Sequence, residues 1–225
     1  MNLRKFFKQS VSFFLIPIIR WYLRKERQYQ YKGILVNVLP GIFHPGLFPS
    51  TGFLLHHIEN QNLKGKTLLE LGCGTGLISV IAAKQGAVVT ACDLNEKAVA
   101  TGLQNANLNK VSVAVFQSDL FQSIPAQAFD WIVINPPYYA KPAHNDEELA
   151  WNCGENFEYF RKLFSTLGAY IHRDSTVIMV LTLGCDISSI QKIGSEFNFV
   201  FDLIAEQNVL FDGKDFLFRI SRTKG

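Results

Sequence analysis

From Lys66 onward the chain alternates short apolar runs of strand length with stretches of helical spacing, and this alternation constrains the fold more than any other feature. Residues 67–71, 88–92, 111–116 and 129–134 read as buried strands. Residues 77–85, a segment capped by Asn95 that runs to about Leu108, and residues 155–172 read as helices, with Ala98, Leu103 and Ala106 expected to face the core. A strand over 176–183, a helix over 187–197 and strands over 199–205 and 216–220 follow; Asp212-Gly213 reads as the turn between the last two. Apolar strands alternating with helices predict an α/β fold: a parallel sheet covered on both faces, ended by an antiparallel pair. Upstream, residues 29–39 read as a strand pair turning at Lys32-Gly33. A loop, GIFHPGLFPS, then leads into a helix over about 52–60 that Ser50 or Thr51 can cap.

The 225 residues are 48% apolar and include 19 Phe, enough for a substantial core and incompatible with intrinsic disorder. Cys73, Cys92, Cys153 and Cys185 form no CxxC pair and have no His at metal-ligand spacing. That argues against a zinc module, any metal site or a disulfide scaffold, and points to a reducing, cytoplasmic setting. Charge divides the chain in two. Residues 1–32 hold eight Lys or Arg against Glu26 alone, whereas the rest is net acidic, so residues 1–28 are read as a basic appendage and 29–225 as the body. In the appendage Leu3, Phe6, Phe7, Ser10, Phe13 and Phe14 share one helical face, opposite Arg4, Lys5, Lys8, Gln9 and Ser12. Its longest uncharged run, residues 9–19, is broken by Pro17 and is well short of the ~20 residues of a spanning helix. Such a segment can pack on the body, grip nucleic acid, or lie peripherally on an anionic membrane. The segment alone leaves these open.

Two motifs carry chemistry. Glu70-Leu71-Gly72-Cys73-Gly74-Thr75-Gly76 joins the first parallel strand to a helix, and alternate glycines let the backbone approach a ligand closely. Asp93 ends the next strand, where a carboxylate can grip ribose hydroxyls. The dinucleotide pattern requires glycine at 77 and meets Leu77 instead, which disfavours a nicotinamide oxidoreductase. The second motif, Asn135-Pro136-Pro137-Tyr138, follows the fourth strand at the carboxyl edge of the sheet. Two prolines remove two amide donors and leave carbonyls to point into a cleft. The Asn135 side-chain oxygen and the Pro136 carbonyl can then accept both hydrogens of a planar NH2 group while Tyr138 stacks on it, so positioning and electrostatics do most of the work.

With these motifs the chain resembles class I S-adenosylmethionine-dependent methyltransferases of the NPPY group over about residues 34–220. It is most similar to the HemK-like release-factor glutamine methyltransferases and to methyltransferase small-domain proteins. The resemblance implies a Rossmann-like seven-stranded sheet with an antiparallel last strand and S-adenosyl-L-methionine as cofactor. It further implies that Glu70, Gly72, Cys73, Gly74 and Gly76 bind the methionyl end and Asp93 the ribose, with Leu94 also a cofactor contact. Asp119 would meet the adenine amine, Leu120 would pack on the ring, and Asn135 would touch both cofactor and acceptor. Residues 43–51 match the loop that closes over the cofactor in this family. The sizeable N-terminal substrate-docking domain of the bacterial release-factor enzymes has no counterpart here beyond the basic segment. The acceptor implied is a planar amide or exocyclic amine. A release-factor-like protein glutamine is placed ahead of an adenine N6 or guanine N2 in RNA, with DNA third and a non-catalytic S-adenosylmethionine-binding protein as the competing class. Residues 139–154, long and polar, read equally as a solvated loop or a substrate-selecting flap. The adjacent His56-His57 pair does not face one site.

Overall fold

A computed structural model of the chain describes residues 21–144, 146–209 and 213–223. The amphipathic stretch of residues 1–20 and the turn residue Asp212 therefore lie outside the described residues. These residues form nine strands: β1 (Arg27–Tyr31), β2 (Ile34–Val38), β3 (Thr67–Leu71), β4 (Val88–Asp93), β5 (Val113–Gln117), β6 (Phe129–Ile134), β7 (Ile171–Thr182), β8 (Phe199–Val209) and β9 (Gly213–Arg222). Among the described residues six helices accompany them: α1 (Pro49–Glu59), α2 (Leu77–Lys84), α3 (Glu96–Leu108), α4 (Asp146–Leu149), α5 (Glu158–Leu167) and α6 (Ile187–Glu196).

Seven strands form one sheet in the order β5-β4-β3-β6-β7-β9-β8, and β1-β2 form a separate hairpin. β3, β4, β5, β6 and β7 pair in parallel, while β9 runs antiparallel to both β7 and β8. The expected sheet is thus the observed one. Strand order reverses between β3 and β6, and a crevice opens there because the flanking crossovers leave to opposite faces. One core, with Phe160, Phe164 and Ile190, packs α5 and α6 on one face; the other, with Leu54, Leu55, Ile78 and Ile81, packs α1 and α2 on the opposite face.

Four local expectations are corrected. The helix expected over 155–172 is confined to Glu158–Leu167, because Ile171 already pairs with Phe129 and His172 lies in β7. Leu103 is 41% exposed and belongs to the solvent face of α3. Helix α1 is not capped by Ser50 or Thr51: Phe48 is the N-cap, Pro49 opens the first turn, and both hydroxyl residues are buried within the helix. Strand β5 begins at Val113, two residues later than expected.

The hairpin is fastened to α3 by side chains rather than by a strand ladder. Asn105 of α3, fully buried, accepts from Asn37 N (2.8 Å) and donates to the carbonyls of Asn37 and Thr75, each at 2.9 Å. Asn109 donates to the Leu35 carbonyl at 2.7 Å. Because Thr75 belongs to the glycine loop, Asn105 ties that loop to the hairpin that feeds residues 41–48. Asn105→Ala leaves these backbone groups unpaired, so the expected loss of stability is about 2–3 kcal/mol, measured by urea denaturation.

Candidate functional site

The carboxyl ends of β3, β4 and β6 surround a cavity of about 460 Å³, within the range of small-molecule sites. It is lined by Glu70, Gly72, Cys73 and Gly74 from the first motif, by Asp93 and Leu94 after β4, and by Asp119 and Leu120 after β5. Asn135, Pro136, Pro137 and Tyr138 complete the lining after β6. Of the motif residues expected to touch the cofactor or the acceptor, Gly76 alone is not in the wall. It is the N-cap of α2 at φ +72°, and a Cβ there would sit 3.1 Å from the Gly102 Cα, so its absence permits close packing on α3.

Glu70 is 4% exposed and its Oε2 accepts from the backbone N of Ser79 at 2.9 Å and from the Ser79 hydroxyl. Ser79 lies in the first turn of α2, so a strand carboxylate satisfies helix donors that the N-cap glycine cannot. Burial nevertheless pushes the Glu70 carboxyl up to about 8, with the Ser79 hydrogen bonds pulling it down and Asp93 nearby pushing it up. Asp93 accepts from Gly74 N through Oδ2 and from Asn95 N through Oδ1, both at 2.9 Å, and burial raises its carboxyl as well. Gly74, at φ +53°, has open space where a Cβ would stand, so the loop backbone opens directly onto the cavity.

Ser118 folds the next segment: its N donates to the Asp93 carbonyl and its hydroxyl to the Leu120 carbonyl, with Leu120 at φ +54°. Asp119 forms an ion pair with Lys162 of α5 at 2.5 Å. At the second motif, Asn135 Nδ2 donates to the hydroxyl of Thr51 at 3.3 Å. The Tyr138 and Tyr139 amides both donate to the Trp151 carbonyl at 2.9 Å, and Cys153 N donates to the Tyr139 carbonyl at 2.9 Å. Residues 139–154 are therefore tied at their base, with Trp151 and Cys153 in the cavity wall. Above them Phe43 stacks on Phe48 (ring centroids 4.2 Å apart), and Trp151 meets the two rings at 5.1 and 4.7 Å.

Thr51, Lys162, Trp151 and Tyr159 belong to this wall; the sequence reading includes Thr51 only as the end of loop 43–51 and Trp151 only within segment 139–154, and it names neither Lys162 nor Tyr159. The one available signal is the position of residues 43–51 upstream of the glycine loop; nothing local marks Lys162 or Tyr159. Among the described residues no cluster of His, Cys, Asp or Glu could hold a metal, and no helix is long and apolar enough to cross a membrane. Open glycine backbone, two carboxylates and the apolar Leu94 and Leu120 fit a ligand that combines a cation, a ribose and a planar base. The lining is compatible with the cofactor implied by the motifs.

Comparison with known proteins points the same way. The family described as methyltransferase small domain matches residues 33–154, more than half of the chain. A relative from Methanocaldococcus jannaschii, named for protein N5-glutamine methylation on similarity rather than on a demonstrated activity, is 38% identical over 119 residues, which are 52% of this chain and 57% of that relative. The ribosomal protein L11 methyltransferase of Helicobacter hepaticus is 36% identical over 136 residues, 56% of this chain and 42% of the relative. The chain thus spans about half the length of these curated relatives. Among solved structures, the Thermus thermophilus 16S rRNA N2 G1207 methyltransferase, in complex with AdoMet and guanosine, superposes with a TM-score of 0.63. It is 18% identical, covering 87% of this chain and 50% of that one, a likeness of fold alone.

The buried carboxyl has a measurable consequence. In the unfolded chain Glu70 titrates near 4.5 and in the folded protein near 8, so between these values the folded state binds more protons. Its contribution to stability therefore falls as pH rises through that window. Glu70→Gln cannot titrate, so its stability relative to the parent protein is expected to improve from about pH 5 to about pH 8.5, read from urea midpoints without ligand. A constant difference would show that Glu70 titrates normally.

Proposed function

We propose that this chain, which belongs to the methyltransferase small-domain family of class I S-adenosylmethionine-dependent methyltransferases, methylates the nitrogen of a planar amide. The observation that carries the proposal is the meeting of Asn135-Pro136-Pro137-Tyr138 with Glu70, Gly74 and Asp93 around one cavity. Bound S-adenosylmethionine supplies an electrophilic methyl group on a sulfonium. Glu70 and the Gly72–Gly74 backbone would hold its methionyl end, Asp93 its ribose, and Leu94 and Leu120 its base. Two desolvated carboxylates favour a cationic ligand, because a positive charge relieves the cost that burial imposes on them.

Asn135 and Pro136 do the acceptor-side work. With Nδ2 engaged by Thr51, Asn135 has its side-chain oxygen left to accept one hydrogen of the acceptor nitrogen, and the Pro136 carbonyl can accept the other. These acceptors orient the nitrogen and stabilise positive charge that grows on it, and no strong base is needed for that. Tyr138, 9% exposed, offers a ring for stacking on the planar group. Phe43, Phe48 and Trp151 screen this end from water.

A protein glutamine is the acceptor that the charge pattern supports best. The segment 139–158, tied to the second motif, contains Asp146, Glu147, Glu148, Glu155 and Glu158 against Lys141 as its one Lys or Arg. A segment of that charge repels a phosphate backbone, which nucleic-acid binders neutralise with cations. The name of the M. jannaschii relative agrees with this acceptor.

Asn135→Ala is expected to lower methyl transfer by at least ~100-fold, the scale for one preorganised hydrogen bond in the transition state. The assay is incorporation of label from radioactive S-adenosylmethionine into an extract of cells lacking the gene. Label is expected in protein, and label in RNA alone would overturn the glutamine assignment. Asp93→Ala is expected to weaken S-adenosylhomocysteine binding by about 1.5–3 kcal/mol in calorimetry. Unchanged affinity in the folded variant would refute the ribose assignment.

A further inference from the structure

We propose that Tyr159 reads the base of the cofactor: its hydroxyl donates a hydrogen bond to a ring nitrogen of the adenine. The inference rests on the methyltransferase reading above, and it concerns a residue that neither motif contains. Adenine offers both hydrogen-bonding senses, an amine that donates and ring nitrogens that accept. An ionised carboxylate only accepts, so Asp119 can serve the amine and cannot serve a ring nitrogen. A site that holds the base by more than its amine therefore needs a donor on the same side of the cavity as Asp119.

Helix α5 brings one there. Tyr159 and Lys162 both line the cavity and stand three residues apart, as neighbours on one face of the helix. Lys162 reaches Asp119, which places Tyr159 toward the same carboxylate. The Lys162 ammonium is taken up by Asp119, and the Ser118 hydroxyl donates to the Leu120 carbonyl. Among the described residues the Tyr159 hydroxyl has no hydrogen-bond partner. Burial first, and then Cys92, Asp93 and Asp119 nearby, pushes its phenol up, so at neutral pH it keeps its proton and remains a donor.

A hydroxyl without a partner is costly in such a wall, and phenylalanine would avoid the cost. The chain has Phe at 157, 160 and 164 around this position and Tyr here. The tyrosine is held where it stands. Its backbone N donates to the Cys153 carbonyl at 3.0 Å, and its ring meets the fully buried Phe160 edge to face with centroids 5.3 Å apart. Phe157, the N-cap of α5, sits at φ +60°, where the chain turns from the segment tied to Tyr139 into the helix. A hydroxyl on a ring already fixed by packing loses little further freedom when it meets a ligand, which is how a preorganised contact contributes to affinity.

The test compares Tyr159→Phe, which keeps the ring and removes the hydroxyl, with the parent protein. Calorimetry measures the affinity of both for S-adenosylhomocysteine and for analogues in which one adenine ring nitrogen at a time is replaced by C–H. Tyr159→Phe is expected to bind S-adenosylhomocysteine roughly 5- to 50-fold more weakly, the cost of leaving a buried acceptor unpaired. Against the analogue that lacks the nitrogen met by Tyr159, the parent should lose about as much and the variant should bind as well as the parent. Without ligand, the urea midpoint of the variant should equal or exceed that of the parent, because the hydroxyl has no protein partner to lose. Unchanged affinity in Tyr159→Phe would overturn the inference. The same loss against every analogue would place the hydroxyl on another part of the cofactor and overturn it too. Unchanged affinity with slower label transfer from radioactive S-adenosylmethionine would assign the hydroxyl to the acceptor, and a lowered urea midpoint would reveal a protein partner for it; either result overturns the inference and leaves the methyltransferase reading standing. A folded parent protein that binds neither S-adenosylhomocysteine nor any analogue would instead overturn the reading on which the inference rests.

Discussion

The parallel pairing of Thr67–Leu71 with β4 on one side and β6 on the other is the constraint on which the rest of the structure depends. With helices covering both faces of the sheet, this strand is buried on both: Leu68, Leu69 and Leu71 pack in the two cores, and Glu70 is its one buried charged residue. Because successive crossovers leave this strand toward opposite faces, the carboxyl edge between β3 and β6 cannot be closed by either helix layer. The glycine loop, Asp93 and Asn135 all emerge beside that gap. The cavity is a product of topology first and of side-chain choice second.

Polar side chains then determine how the loops sit around the gap. Asn105 presents a donor and an acceptor to Asn37 as a neighbouring strand would, and directs its remaining donor to Thr75. Three hydrogen bonds on this fully buried side chain make the hairpin and the glycine loop a single unit, since separation would leave its amide unpaired away from water. Loop 41–48 is anchored by this unit at one end and by Pro49 at the other. Phe43 and Phe48 can therefore meet Trp151 across the cavity at fixed separations.

Among the described residues the cavity wall has one Lys or Arg, Lys162, which is paired with Asp119. Glu70 and Asp93 are both pushed up by desolvation, and each raises the cost of ionising groups around it, as at Cys73. Cys73, buried and held well above the ordinary thiol range, is therefore no nucleophile. Asp119, nearer solvent, has its own cation in Lys162. A contact between Asp119 and an adenine amine would have to be shared with that lysine, a competition for which the local sequence has no sign.

The order of strands and helices, the glycine loop after β3, Asp93 at the end of β4 and the Asn-Pro-Pro-Tyr turn after β6 are legible because each is a local pattern. Periodicity, turn chemistry and motif spacing are properties of a few consecutive residues, and a parallel α/β topology carries them to one edge. Two of the departures from expectation have a non-local cause: Leu103 lies on a helix face whose burial depends on neighbours, and the end of α5 is decided by β7 pairing with β6. What only the tertiary structure decided is pairing at long range: Thr51 with Asn135, Asn105 with Asn37, Lys162 with Asp119. A hydrogen bond or ion pair is short-ranged in space and indifferent to separation along the chain, so no window of sequence contains both partners. The motif residues that meet at the cavity are thus written locally, whereas their long-range partners exist as partners only once the chain has folded.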